Sequence, residues 1–83
     1  MKRLLLKGKD ILALSGEANS HRLSLRARVS YPTVDRYINR PEKQSAFGAE
    51  VLAAILIDGT GLSIDQVLSM PMSTFFDIVD DGK

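Results

Sequence analysis

One stretch, residues 19–39, constrains the fold most, because its pattern is that of two short helices joined by a tight turn. Leu23 and Ala27 lie four residues apart, which places them on one face of a helix predicted at residues 20–28. Asn19 stands immediately before that helix, and its side chain is suited to cap the first turn. The stretch therefore predicts a helix with one buried face, followed directly by a second helix.

The second helix is predicted at residues 31–39, and the residues before it are typical of a helix start. Ser30 is the expected N-cap, with a hydroxyl that can accept from the backbone N–H of Thr33. Val29 and Val34 are spaced as a hydrophobic staple, which fixes the angle at which the chain enters the helix. Two helices locked in this way are the arrangement that a DNA-reading helix-turn-helix requires.

The segment SLRARVSYPTVDRYIN, residues 24–39, resembles the helix-turn-helix of the Cro/repressor-type (XRE-like) DNA-binding proteins. In that family an apolar residue ends the turn, Ser or Thr caps the second helix, and a β-branched residue packs inward. Val29, Ser30 and Val34 fill those places, and Arg36-Tyr37 matches the pair that follows. The resemblance implies a lambda-repressor-like fold and covers roughly residues 10–70, with the specific motif confined to the central twenty.

The chain departs from the family pattern at two positions. Arg28 stands where the family usually has glycine, and Ala27 stands where it usually has a large apolar residue. A residue other than glycine can occupy a left-handed turn position at a cost of about 1 kcal/mol.

The whole chain, residues 1–83, is predicted to form one all-α domain of about five short helices, with short terminal strands as an alternative at the ends. The predicted helices are residues 9–15, 20–28, 31–39, 46–57 and 64–69. Residues 46–57 are apolar nearly all round, so this helix is expected to be buried at the centre. Ser63 and Gln66 have the spacing of a capping box for the last helix.

Both ends of the chain allow two structures. Residues 2–6 fit either a strand or the first turn of the first helix. The tail, residues 71–83, carries apolar side chains that should avoid water. They either fold back, perhaps as a strand beside residues 2–6, or form a dimer surface; these side chains are Phe75, Phe76, Ile78 and Val79.

Charge is unevenly distributed along the chain. Residues 1–45 contain ten Lys or Arg against four Asp or Glu, a net charge of +6, and residues 46–83 have a net charge of −5. Such polarity can present a basic face to phosphates and turn the acidic half away. The alternative interpretation is that this asymmetry has no functional meaning, because small domains often have an uneven charge distribution.

Composition also limits the alternatives. The absence of cysteine fits a cytoplasmic protein, and the longest apolar run, residues 51–57, is too short to span a membrane. The single histidine, His21, has no neighbouring set of ligands or acids, so we expect no metal, no cofactor and no catalysis.

Position within the resemblance gives candidate contacts to DNA. Base contacts are expected from the outward-facing start of the second helix: Tyr31, Pro32, Thr33, Asp35 and Arg36. Arg36 can donate two hydrogen bonds to guanine, and Asp35 can accept from cytosine or hold Arg36 in position. Phosphate contacts are expected on both flanks: Ser20, His21 and Arg22 on one, Asn39, Arg40 and Lys43 on the other. Val34, Ile38 and Tyr37 should be core, with the Tyr37 hydroxyl reaching the surface.

These expectations favour a sequence-specific transcriptional regulator of double-stranded DNA, a small repressor acting as a homodimer on palindromic sites, with half-sites about 34–36 Å apart. An antitoxin with a toxin partner has the same family resemblance. The alternative from another class is an adaptor that keeps the fold but binds protein through its acidic half.

Overall fold

The computed structural model describes residues 1–44 and 46–80, and within them it has five α-helices and one two-stranded sheet. In chain order the elements are β1 (Lys2–Leu6), α1 (Gly8–Ser15), α2 (Ser20–Ala27), α3 (Tyr31–Asn39), α4 (Ala49–Ala53), α5 (Ile64–Ser69) and β2 (Phe76–Asp80). Two 3₁₀ turns lie at Pro41–Lys43 and Met72–Thr74, and a π-helical turn, Ala54–Gly59, continues α4. The expectation of a mainly helical domain with short terminal strands is confirmed.

The two ends of the chain meet in the sheet. β1 pairs antiparallel with β2, in a register that runs from Lys2 opposite Asp80 to Leu6 opposite Phe76. The two alternatives at the chain ends are thereby decided for the described residues: residues 2–6 are a strand, and the tail folds back beside it as far as Asp80. Residues 81–83 of the tail lie outside the described residues.

The four apolar tail residues have different surroundings. Phe75 is part of the core, and the Phe76 ring packs edge-to-face on Phe47 with 5.7 Å between ring centroids. Val79 is half-buried, whereas Ile78 is 69% exposed. Phe75 and Phe76 are therefore packing residues of the fold. Side chains two residues apart in a strand share a face, so Phe76 and Ile78 lie on one face of β2, where Phe76 is half-buried and Ile78 remains in solvent.

The core lies between α1, α2, α3 and the turn after α4, with the β1–β2 end closing it. Its largest fully buried side chains are Leu6, Ile11, Leu23, Val34, Ile38 and Ile55. Helix α1 approaches α3 very closely at Gly8, where an added Cβ would lie 1.9 Å from the carbonyl oxygen of Ile38. Glycine at this position is therefore what allows α1 and α3 to pack together.

Helix α4 differs from the prediction in its bounds and in its burial. It begins at Ala49 instead of 46, and after Ala53 the chain widens into the π-helical turn, whose residues Ile55 and Leu56 are buried. No residue of α4 itself is buried, and Ala49 and Ala53 are exposed. The expectation of a helix buried all round was wrong because small apolar side chains are tolerated on a solvent face.

Helix α5 has the predicted bounds and the predicted start. The Ser63 hydroxyl accepts from the backbone N–H of Gln66 at 3.1 Å, and the Gln66 side chain accepts from the N–H of Ser63 at 2.8 Å. This reciprocal capping box satisfies two of the N–H groups that the start of a helix leaves without partners.

Candidate nucleic-acid interface

The turn between α2 and α3 sets the relative position of the two helices. Asn19 caps α2 as expected, its side chain accepting from the N–H of Arg22 at 2.9 Å. Arg28 ends α2 in the left-handed region, with φ 59° and ψ 38°, and its N–H donates to the carbonyl of Ser24. This single reversal turns the chain into α3 within three residues, and Val34 then packs with Leu23 in the core.

The cap of α3 differs in detail from the prediction. Ser30 occupies the N-cap position, but its side chain makes no hydrogen bond to the backbone of the helix. Its hydroxyl instead lies 2.9 Å from the hydroxyl of Thr33. The Ser30 backbone, with φ −57°, differs from the more extended conformation that aims a capping side chain at the third residue.

The start of α3 presents an aromatic and polar surface. Tyr31 is 44% exposed and Pro32 is exposed, while Thr33 is half-buried. The ring of His21, at the start of α2, packs edge-to-face on Tyr31 with 5.4 Å between centroids. An expected phosphate contact and an expected base contact therefore lie together where the two helix starts meet.

Arg36 is held by a residue outside the helix. Its Nε donates to the side-chain oxygen of Gln44 at 2.7 Å, and the Gln44 amide donates in turn to the carbonyl of Ala46. Sequence reasoning missed Gln44, which lies between the predicted helices 31–39 and 46–57. The contact forms because the chain reverses direction after Arg40. Arg36 and Gln44 are eight residues apart and Gln44 lies outside α3, so helical periodicity does not predict that they meet.

Asp35 is the centre of a second polar cluster. Its carboxylate accepts from the side chain of Asn39 at 2.7 Å and from Arg40 at 2.5 Å. The Asn39 amide also donates to the hydroxyl of Ser20, which links the end of α3 to the start of α2. The hydrogen bond from Asn39, followed by the hydrogen bond and positive charge of Arg40, lowers the pKa of Asp35 from its ordinary value. Asp35 thus binds Asn39 and Arg40, and no hydrogen bond joins it to Arg36 among the described residues.

The residues expected to contact phosphates differ in their exposure to solvent. His21, Arg22 and Lys43 are exposed, and so are Asn39 and Arg40, although both of these carry a bond to Asp35. Ser20 is buried, with 6% of its surface exposed, and its hydroxyl accepts from Asn39. The Ser20 side chain therefore links α2 to the end of α3. Ser20 is also the first residue of α2.

Tyr37 is buried, as expected, but its hydroxyl has a protein partner. The oxygen accepts from the backbone N–H of Gly48 at 2.9 Å, just before α4. The inner face of α3 therefore anchors the connector to α4, while its outer face carries the polar residues described above. Val34 and Ile38 complete the inner face and are buried.

Among residues 1–44 and 46–80, no group of three His, Cys, Asp or Glu side chains is arranged to hold a metal ion. Over the same part of the chain, no helix has both the length and the apolar character needed to cross a bilayer. Comparison with protein-family models, with curated proteins and with solved structures found no match to this chain.

Proposed function

We propose that α2 and α3 form a helix-turn-helix and that the protein is a sequence-specific DNA-binding regulator, a small repressor that reads the major groove with α3. The observation that carries the proposal is the division of α3 into two faces. Its inner face is buried in the core, and its outer face presents Tyr31 and Arg36 beside the start of α2. The resemblance of residues 24–39 to repressor helix-turn-helix segments supports it.

The chemistry of this surface fits both kinds of DNA contact. Arg36 has the planar donor group that recognises guanine O6 and N7, and the Tyr31 ring can pack on a thymine methyl. Arg22 and Lys43 are exposed on either flank, where cations attract phosphates. Arg28 in the turn is exposed as well and adds to the positive charge around the two helices.

The experiment is selection of binding sites from a random duplex pool, at low and at moderate salt. We expect one enriched motif, and a palindromic motif would identify a dimer that binds two half-sites. Recovery of DNA without any motif, lost steeply as salt rises, would leave phosphate contacts alone and contradict sequence-specific reading. No recovery at either salt would remove the DNA-binding proposal altogether.

Two variants separate base reading from phosphate binding. Arg36→Ala should cost about 1–3 kcal/mol at the preferred site and relax the preference at one base pair. Arg22→Ala should weaken binding to all sequences alike and reduce the salt slope by about 1. Equal effects of both variants on specificity would show that α3 is not the reading helix.

A protein-interaction role is the second candidate, favoured by apolar side chains in the acidic half. Ile64 and Leu68 lie one turn apart on α5 and are 59% and 78% exposed. Exposed neighbouring apolar residues are typical of surfaces that bind protein. An adaptor or an antitoxin would use such a surface, and a protein that fails the DNA selection but retains its fold would favour the adaptor.

A further inference from the structure

Arg36, on the outer face of α3, and Arg40, which follows the helix, differ in the chemistry of their partners. Arg40 donates through Nη2 to the carboxylate of Asp35, so its charge is balanced by an anion. Arg36 donates through Nε to the side-chain oxygen of Gln44, a neutral acceptor. Among the described residues no carboxylate pairs with Arg36, while one edge of its guanidinium is fixed.

The bond to Gln44 leaves a particular edge of the Arg36 guanidinium available. A guanidinium has five N–H donors in a planar fork, and the pair at its outer end belongs to the two Nη atoms. Within the described part of the chain, no hydrogen bond involves either Nη of Arg36. The outer pair is the one that can donate in parallel to guanine O6 and N7.

Gln44 is itself held in place. Its amide nitrogen donates to the backbone carbonyl of Ala46, in the connector that leads to α4. Further along this connector, the backbone N–H of Gly48 donates to the hydroxyl of the buried Tyr37. The position of the Gln44 oxygen is thus set by the folded core, and that oxygen in turn restricts the rotation of the long Arg36 side chain.

We propose that Gln44 is a positioning residue that orients Arg36 for guanine. It does so by accepting from Nε and directing the two Nη groups outward. This inference rests on the proposed function, since it assumes that α3 reads duplex DNA. Fixing the side chain beforehand reduces the rotational freedom that Arg36 would lose on binding.

The first test needs no DNA. In ¹⁵N NMR spectra of the free protein, the Arg36 Nε–H signal, assigned by its loss in Arg36→Ala, should exchange slowly with water. In Gln44→Ala and in the similarly sized Gln44→Met, which offers no oxygen acceptor, the signal should exchange at the rate of an exposed arginine. An Arg36 signal that is the same in wild type and in both variants would overturn the assignment.

The second test measures base preference. Each guanine of the selected motif is replaced by adenine with its pair, and the affinity ratio between original and altered sites is measured for each protein. Gln44→Ala and Gln44→Met should lower the ratio about 3- to 10-fold at one guanine, with an unchanged salt slope. The adjacent Lys43→Ala is the matched control and should weaken all sites equally.

The outcomes distinguish the inference from the proposed function. A wild-type protein that selects no motif overturns both. A wild-type motif with a guanine that Arg36→Ala ceases to prefer, but that both Gln44 variants prefer as strongly as wild type, overturns only the role of Gln44. A ratio that falls in Gln44→Ala but is retained in Gln44→Met also overturns it, because packing alone would then suffice.

Discussion

Arg28 occupies a backbone conformation that glycine adopts more readily, so Arg28→Gly should stabilise the domain. With φ 59° and ψ 38°, its Cβ lies near a carbonyl oxygen, a strain worth about 1–2 kcal/mol for an L-residue. Glycine removes that strain but loses about 0.4–1 kcal/mol more backbone entropy on folding. The expected net gain is about 1 kcal/mol.

The side chain of Arg28 contributes little that glycine would lose. It is exposed and makes no hydrogen bond or ion pair with another residue of the described segments. The bond from its own N–H to the Ser24 carbonyl is a backbone interaction and is retained in any variant. The stability change should therefore report the backbone conformation.

The assay is urea and thermal unfolding of wild type, Arg28→Gly and the control Arg28→Ala. Both variants lose the same charge, so their difference isolates the left-handed conformation. We expect Arg28→Gly to melt about 4–8 °C above Arg28→Ala, because that is the shift that 1 kcal/mol produces in a domain of this size. Equal midpoints, or a lower midpoint for the glycine variant, would refute the left-handed turn.

Three further predictions concern packing and charge. Gly8→Ala should destabilise the domain by more than the ~1–3 kcal/mol typical of overpacking, because the new Cβ would meet the backbone of Ile38 at 1.9 Å; Gly16→Ala, with open space but φ +74°, should cost only about 1 kcal/mol by urea unfolding. Val34→Asp should leave no folded protein by circular dichroism, because it buries an unpaired charge at a fully buried position, and a folded variant would show that the helix register is wrong. The lowered pKa of Asp35 stabilises the fold when its carboxyl is charged, so the stability difference between wild type and Asp35→Asn should be full above pH 5 and shrink as the pH falls below about 3.8; a constant difference would contradict it.

The sequence predicted those parts of the fold that depend on local patterns. The α3 bounds, the α5 capping box and the Asn19 cap follow from residues within one helical turn of each other. The π-helical turn after α4 could not be predicted in this way. It is a tertiary feature, in which Gly59 lies against Leu23, where an added Cβ would be 2.8 Å from the Leu23 side chain.

The candidate interface was predicted as a set of residues but not as a network. Position within the resemblance placed Val34 and Ile38 inside and Tyr31 and Arg36 outside, where the structure has them. The sequence pattern did not indicate which acceptor each outward-facing donor would bind. Gln44 lies close to Arg36 only because the chain reverses direction after Arg40. Asp35 was expected to accept from cytosine or to hold Arg36, whereas the i+4 spacing places Asn39 within hydrogen-bond reach on the same face of α3.

The partners of the arginines decide how much positive charge this surface offers to an anionic ligand. Arg26 is directed toward the end of α1, where it pairs with Glu17 at 3.3 Å, and Arg40 pairs with Asp35. Of these three, only Arg36 pairs with no carboxylate among the described residues. Under the proposed function, each phosphate contact contributes about 0.9 to the slope of affinity against salt. If every arginine contacted a phosphate, all three would contribute to the slope of affinity against salt. Because two of them pair with carboxylates, the measured slope should be shallower by about 2 than that count. Under the proposed function, the composition of the basic half therefore overstates its electrostatic attraction for DNA.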